Sequence, residues 1–75
     1  MNNELTMWAI YDHPKDYPDL YVARMFLVSS GNGAPTSNIK TNSDLDVIRS
    51  EMRNLGLVQI PRDVNDDPVI IETWL

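Results

Sequence analysis

Residues 20–28 read LYVARMFLV, and the reading of that run decides the fold. It lies between Pro18 and the turn-rich SSGNGAP stretch, and its bulky apolar and aromatic content marks it as a strand. Successive side chains of a strand point to opposite faces. Leu20, Val22, Phe26 and Val28 therefore point one way, interrupted by Arg24, while Tyr21, Ala23, Met25 and Leu27 point the other. Both sets are largely apolar. An antiparallel sheet with one solvated face shows polar residues on that face, so this strand asks for cover on both sides.

Upstream, TMWAIYD (Thr6–Asp12) reads as a first strand that stops at the loop DHPKDYPD (Asp12–Asp19). Downstream, Ser29–Asn42 reads as a loop, because Gly31, Gly33 and Pro35 break any period; a short strand fits around Ile39. The stretch SDLDVIRSEMRNLG then reads as a helix. Ser43 is placed to cap it, with Asp46 in a capping-box-like position, and Leu45, Ile48, Met52 and Leu55 share one face. Asp44 and Asp46 lie near its positive end and Arg49 and Arg53 toward its negative end. Gly56 is placed to stop it. LVQI (Leu57–Ile60) and VIIETWL (Val69–Leu75) read as two more strands around PRDVNDDP.

These readings give one small α+β domain over residues 1–75. Its mostly antiparallel sheet has three to four strands in the order ββαββ, with one helix packed on it. In the last strand, alternation puts Val69, Ile71 and Leu75 on one side and Ile70 and Trp74 on the other. One helix covers only one sheet face. The second face then calls for the Ser29–Asn42 loop, another copy of the chain, or a partner.

Composition narrows the function classes. A chain of 75 residues builds a small core that buries roughly 60% of the surface its unfolded form exposes. Eleven acidic against six basic residues leave a formal charge of −5. Phosphate-backbone binding needs clustered Lys and Arg, so no nucleic acid partner is expected. No apolar run approaches a membrane span. MNNELTMW lacks the parts of a secretory signal and there is no cysteine, so the expected setting is the cytoplasm.

The candidate sites are few. Asp12, His13, Asp16 and Asp19 hold ligand-type groups, but the chain has one histidine and no HExxH or EF-hand spacing. Turn chemistry accounts for them, with Pro14 and Pro18 holding His13 and Tyr17 extended. Asp12, His13, Asp16, Tyr17 and Arg24 form the candidate recognition loop. Arg24, set in an apolar strand, needs an acceptor if buried; Asp12 and Glu72 are the candidates. Asp63, Asp66 and Asp67 could gather calcium, although a polar hairpin loop is the commoner use. Trp8 and Trp74 read as core anchors. GNGAP lacks the lysine and following helix of a phosphate loop, and His13 has no serine partner for a triad. No catalytic residue, metal site or cofactor is expected.

WAIYDHPKDYPDLYVAR near the start and PRDVNDDPVIIETWL at the end resemble a group of short, uncharacterised bacterial and phage-type proteins. The resemblance spans about half the chain and implies no activity, cofactor or catalytic residue. It points toward an accessory or prophage role. The expected function is a non-enzymatic protein-interaction module, either a weak homodimer or an apolar patch for a protein partner, involving Tyr21, Met25, Ile70 and Trp74. The alternatives are a small inhibitor from a mobile element that binds a host defence or regulatory protein, and a metal-assisted enzyme using His13 and the loop aspartates.

Overall fold

β1 (Leu5–Asp12) and β2 (Tyr21–Ser29) pair antiparallel without interruption, from Leu5 opposite Val28 to Asp12 opposite Tyr21. The computed structural model describes residues 5–30, 32–61 and 67–75. In those residues the hairpin is extended by β3 (Asn32–Asn42) on the β2 side. After α1 (Leu45–Asn54) come β4 (Gln59–Ile60) and β5 (Ile70–Trp74). The sheet order is β3-β2-β1-β5-β4, and every neighbouring pair is antiparallel.

The α+β class and the single helix stand, but the strand count and order need correction. The described residues hold five strands, and the helix follows the third rather than the second. Ser29–Asn42, read as a loop, is mostly β3. Its composition misleads because an edge strand needs ladder hydrogen bonds on one side only, which makes room for Pro35 and for polar residues. Ile39 lies opposite Arg24 and Pro35 opposite Phe26, so residues 36–38 bulge out against Met25 alone. Thr36 fastens the bulge: its Oγ1 donates to the Met25 carbonyl at 3.0 Å and accepts from Asn38 N at 3.1 Å.

The helix begins one residue later than the capping-box reading placed it. Asp44, not Ser43, is the N-cap, in extended conformation, and its carboxylate accepts from Asp46 N at 2.9 Å. Asn42 Oδ1 accepts in turn from Asp44 N at 2.8 Å, which carries the chain from β3 into α1. At the other end Leu55 closes the last turn and Gly56 takes φ +79°, the left-handed conformation that lets the chain reverse. Ile48 and Met52 are fully buried and Leu45 half-buried, as the periodicity implied, whereas Leu55 faces solvent.

Those helix side chains pack on Trp8, Ile10, Ala23 and Trp74, with Tyr21, Met25, Leu57 and Ile71 at the margins. Cations close the edges of this layer: the Lys40 ammonium lies 5.9 Å from the Trp8 ring centre, and the Arg53 guanidinium 6.0 Å from that of Trp74. Glu72 is also on this face, opposite Ile10, and it is buried. Arg49 of α1 donates to Glu72 Oε2 from Nε at 2.8 Å and again from Nη2. Trp74 Nε1 donates to Glu72 Oε1 at 3.1 Å. Both carboxylate oxygens are thereby satisfied, and helix and last strand are joined.

The alternation expected in β5 fails at one place. The β1–β5 register shifts between Ile10 and Tyr11, where Glu72 and then Ile70 are the partners. The irregularity sends Ile70 to the face away from the helix while Trp74 stays beneath it.

Two stability outcomes follow. Arg49→Met leaves a buried carboxylate with only an indole partner; urea unfolding should show a loss of about 3 kcal/mol, the lower end for a broken buried pair because Arg49 is partly solvated. Gly56→Ala meets no atom within 4 Å, so its cost of roughly 1–2 kcal/mol comes from the left-handed backbone alone. A Gly56→Asn chain should recover part of that loss, and equal stability of all three would remove the conformational argument.

Candidate interaction surface

The face opposite α1 carries Met7, Ala9 and Tyr11 from β1, with Val22, Arg24, Phe26 and Val28 from β2. No helix of the described residues covers it, and two features divide it.

The first is the loop 13–20, which folds over the Tyr11–Val22 end. Arg24 Nη2 donates to Asp16 Oδ2 across the gap, and the guanidinium carbon lies 5.2 Å from the Tyr11 ring centre. Val22, on this otherwise open side, is fully buried, and Pro14 of the loop is buried. Hydrogen bonds from His13 N to Leu20 O at 3.0 Å, Tyr17 N to Pro14 O at 2.9 Å and Leu20 N to Tyr17 O at 3.2 Å fix the loop as successive turns. The acceptor foreseen for Arg24 was Asp12 or Glu72; the structure supplies Asp16 instead. Glu72 is engaged by Arg49, and Asp12 engages its neighbour His13 through Nδ1.

His13 departs from the extended conformation that Pro14 favours and takes φ +49°. Its ring meets the Tyr21 ring edge-on at 4.8 Å. The residues 13–15 and the start of β5 approach each other, since Asp12 N donates to Val69 O at 2.8 Å. A cleft of about 430 Å³ lies there, lined by His13, Pro14, Lys15, Asp67 and Val69. Among the described residues no three His, Asp or Glu side chains gather as a metal-holding group. Asp63 and Asp66 lie outside the described residues.

The second feature is a groove in the sheet face itself, of about 270 Å³, lined by Met7, Ala9, Tyr11, Phe26, Ile60, Pro61, Ile70 and Thr73. Ala9, 4% exposed, forms its floor, because a methyl between larger neighbours leaves a depression. Of the four residues singled out for partner contact, only Ile70 lines this groove; Tyr21, Met25 and Trp74 pack with the core on the helix side. The four do not share a surface. Sequence alternation could have found Met7, Ala9 and Tyr11 in β1, and Phe26 in β2, since they sit on the face the helix cannot cover. Ile60, Pro61 and Thr73 join them only through the pairing of β1, β4 and β5.

No family model, no curated protein and no solved structure matches the chain. No helix among the described residues is long and apolar enough to cross a membrane.

The clamp on the loop titrates. The Arg24 guanidinium holds the Asp16 carboxyl below the usual carboxylate range. A carboxyl depressed in the folded state lends stability above its unfolded pKa and loses that contribution as pH falls through the lower, folded value. Asp16→Asn should therefore abolish this acid-side dependence. Amide exchange at Tyr17 and Leu20 should quicken in the variant at neutral pH, while Ile48 and Met52 stay protected. Unchanged exchange at the two loop amides would mean that Arg24 does not hold the loop.

Proposed function

We propose that the chain is a non-enzymatic protein-interaction module whose contact surface is the sheet face turned away from α1. The observation that carries this reading is the groove around Ala9. It is apolar, it lies in the middle of a sheet, and its lining comes from β1, β2 and β5 together with Ile60 and Pro61. Apolar depressions of this kind serve as seats for the few buried side chains that dominate binding between proteins. The resemblance of the two proline- and aspartate-rich stretches to short bacterial and phage-type proteins supports an accessory role for such a module.

The polar residues of the 12–16 stretch have structural occupations that fit the same reading. Asp12 orients His13, His13 packs on Tyr21, and Asp16 holds Arg24. Each secures the loop 13–20, whose Asp16 holds Arg24 beside the groove-lining Tyr11.

A photo-crosslinking amino acid at position 26, in the groove, tests the reading against one at Val47, which is 40% exposed on the helix. In extract of the native host, the position-26 chain should capture one discrete protein, and excess unmodified chain should compete it away. Position 47 should not capture it. Equal capture from both positions, or none from position 26, would refute a binding role for this face.

A further inference from the structure

Asn32 and Gly33 open β3 and set a side-chain amide beside a main-chain nitrogen that carries no neighbouring side chain. We propose that Asn32 is a site of spontaneous modification, deamidating through a cyclic imide with water as the co-reactant. The Gly33 nitrogen gives up its proton to solvent base and attacks Asn32 Cγ. The new N–C bond closes a succinimide ring, and the Cγ–Nδ2 bond breaks to release ammonia. One water then opens the ring at either carbonyl. The product is aspartate or isoaspartate, the latter with the main chain running through the side-chain carbon.

The sheet leaves the attacking nitrogen open. Thr36 Oγ1 donates to the Met25 carbonyl, so that carbonyl faces β3. Residues of an antiparallel ladder alternate between hydrogen-bonded and non-hydrogen-bonded pairs. Leu27 and Ser29 therefore also turn their backbone groups toward β3, and Val28 turns its own toward β1. Gly33, opposite Val28, directs its N–H outward from the free edge of the sheet. Pro35, opposite Phe26, holds the equivalent place two residues on, where no N–H is needed. Asn32 and Gly33 are both exposed, and glycine adds no Cβ to hinder the approach. Asn32 pairs with Ser29 at the last rung of the β2–β3 hairpin. Strand ends open locally at little cost, which lets the extended chain turn into the ring geometry.

The other described asparagines lack this combination, since Asn32 alone is followed by glycine. Asn38 precedes the branched Ile39, and its side-chain amide meets the Met25 sulfur at 3.8 Å. Asn42 Oδ1 is held by Asp44 N at 2.8 Å. Asn54 precedes Leu55, whose nitrogen already donates to Glu51 O at 3.1 Å and to Met52 O at 3.2 Å. Conversion at Asn32 adds a carboxylate to a chain already at −5. The isoaspartate form also lengthens the main chain by one carbon, which spoils the pairing with Ser29.

The test follows the full chain by mass spectrometry during incubation in mildly alkaline buffer made with oxygen-18 water. The tryptic peptide 25–40 should exchange the mass of ammonia for that of heavy water. Fragment ions should place the gain at Asn32 and reveal isoaspartate there. Asn32→Gln should lose the gain, because the longer side chain must close a larger and less favoured ring. Gly33→Ala should suppress it by shielding the nitrogen; the added methyl meets only Val28 Cγ2, at 4.0 Å, so the variant folds. In converted chains the Ser29 amide should exchange faster while Ile48 and Met52 stay protected. Conversion at Asn38, Asn42 or Asn54 as fast as at Asn32 would overturn the assignment. So would a folded chain that keeps Asn32 intact while the urea-unfolded chain converts it, or an undiminished rate in Gly33→Ala.

Discussion

The Glu72 carboxylate is the constraint on which the arrangement of layers depends. It lies on the helix side of β5, beside Ile10, where an ionised group without partners would be costly. Arg49 reaches it from α1 and the Trp74 indole reaches it along the strand, so both oxygens are occupied. The attraction acts in both directions: the Glu72 carboxylate also holds the Arg49 guanidinium above its ordinary pKa. Apolar contact between Ile48, Met52 and the sheet supplies the greater part of the adhesion, but such contact is indifferent to small slides. The guanidinium and carboxylate are not, and they tie the position of α1 to that of β5.

That registration determines which face remains open. With α1 held over Trp8, Ile10, Ala23 and Trp74, the opposite side of β1 and β2 has no helix over it among the described residues, and the 13–20 loop reaches it where Asp16 meets Arg24. Arg24 sets the limit of the cover by holding Asp16, and the groove begins beyond the Tyr11 ring. The fold and the proposed binding surface are therefore one arrangement.

Much of this was legible in the sequence. The doubly apolar run from Tyr21 to Val28 announced a sheet with more apolar surface than one helix can cover, and the period of Leu45, Ile48 and Met52 announced the helix. What escaped reading was set by tertiary context. β3 looks like a loop because its sequence is judged by propensities of fully paired strands. Strict alternation puts Ile70 on one face with Trp74 because it cannot foresee a shift in register. The partner of Arg24 was sought on neighbouring strands, whereas turns within 13–20 bring Asp16 over the sheet.

The bulge of β3 has a meaning beyond its own geometry. An eleven-residue strand at the end of a sheet would ordinarily offer a long ladder of N–H and C=O groups to any passing chain. Here Pro35 lacks a donor and the three residues after it leave the strand's line, with Thr36 engaged at Met25. The ladder is cut into two short pieces. A domain that leaves an apolar sheet face open carries an inherent risk of polymerising through its sheet edge, and this interruption shortens the edge that could do so.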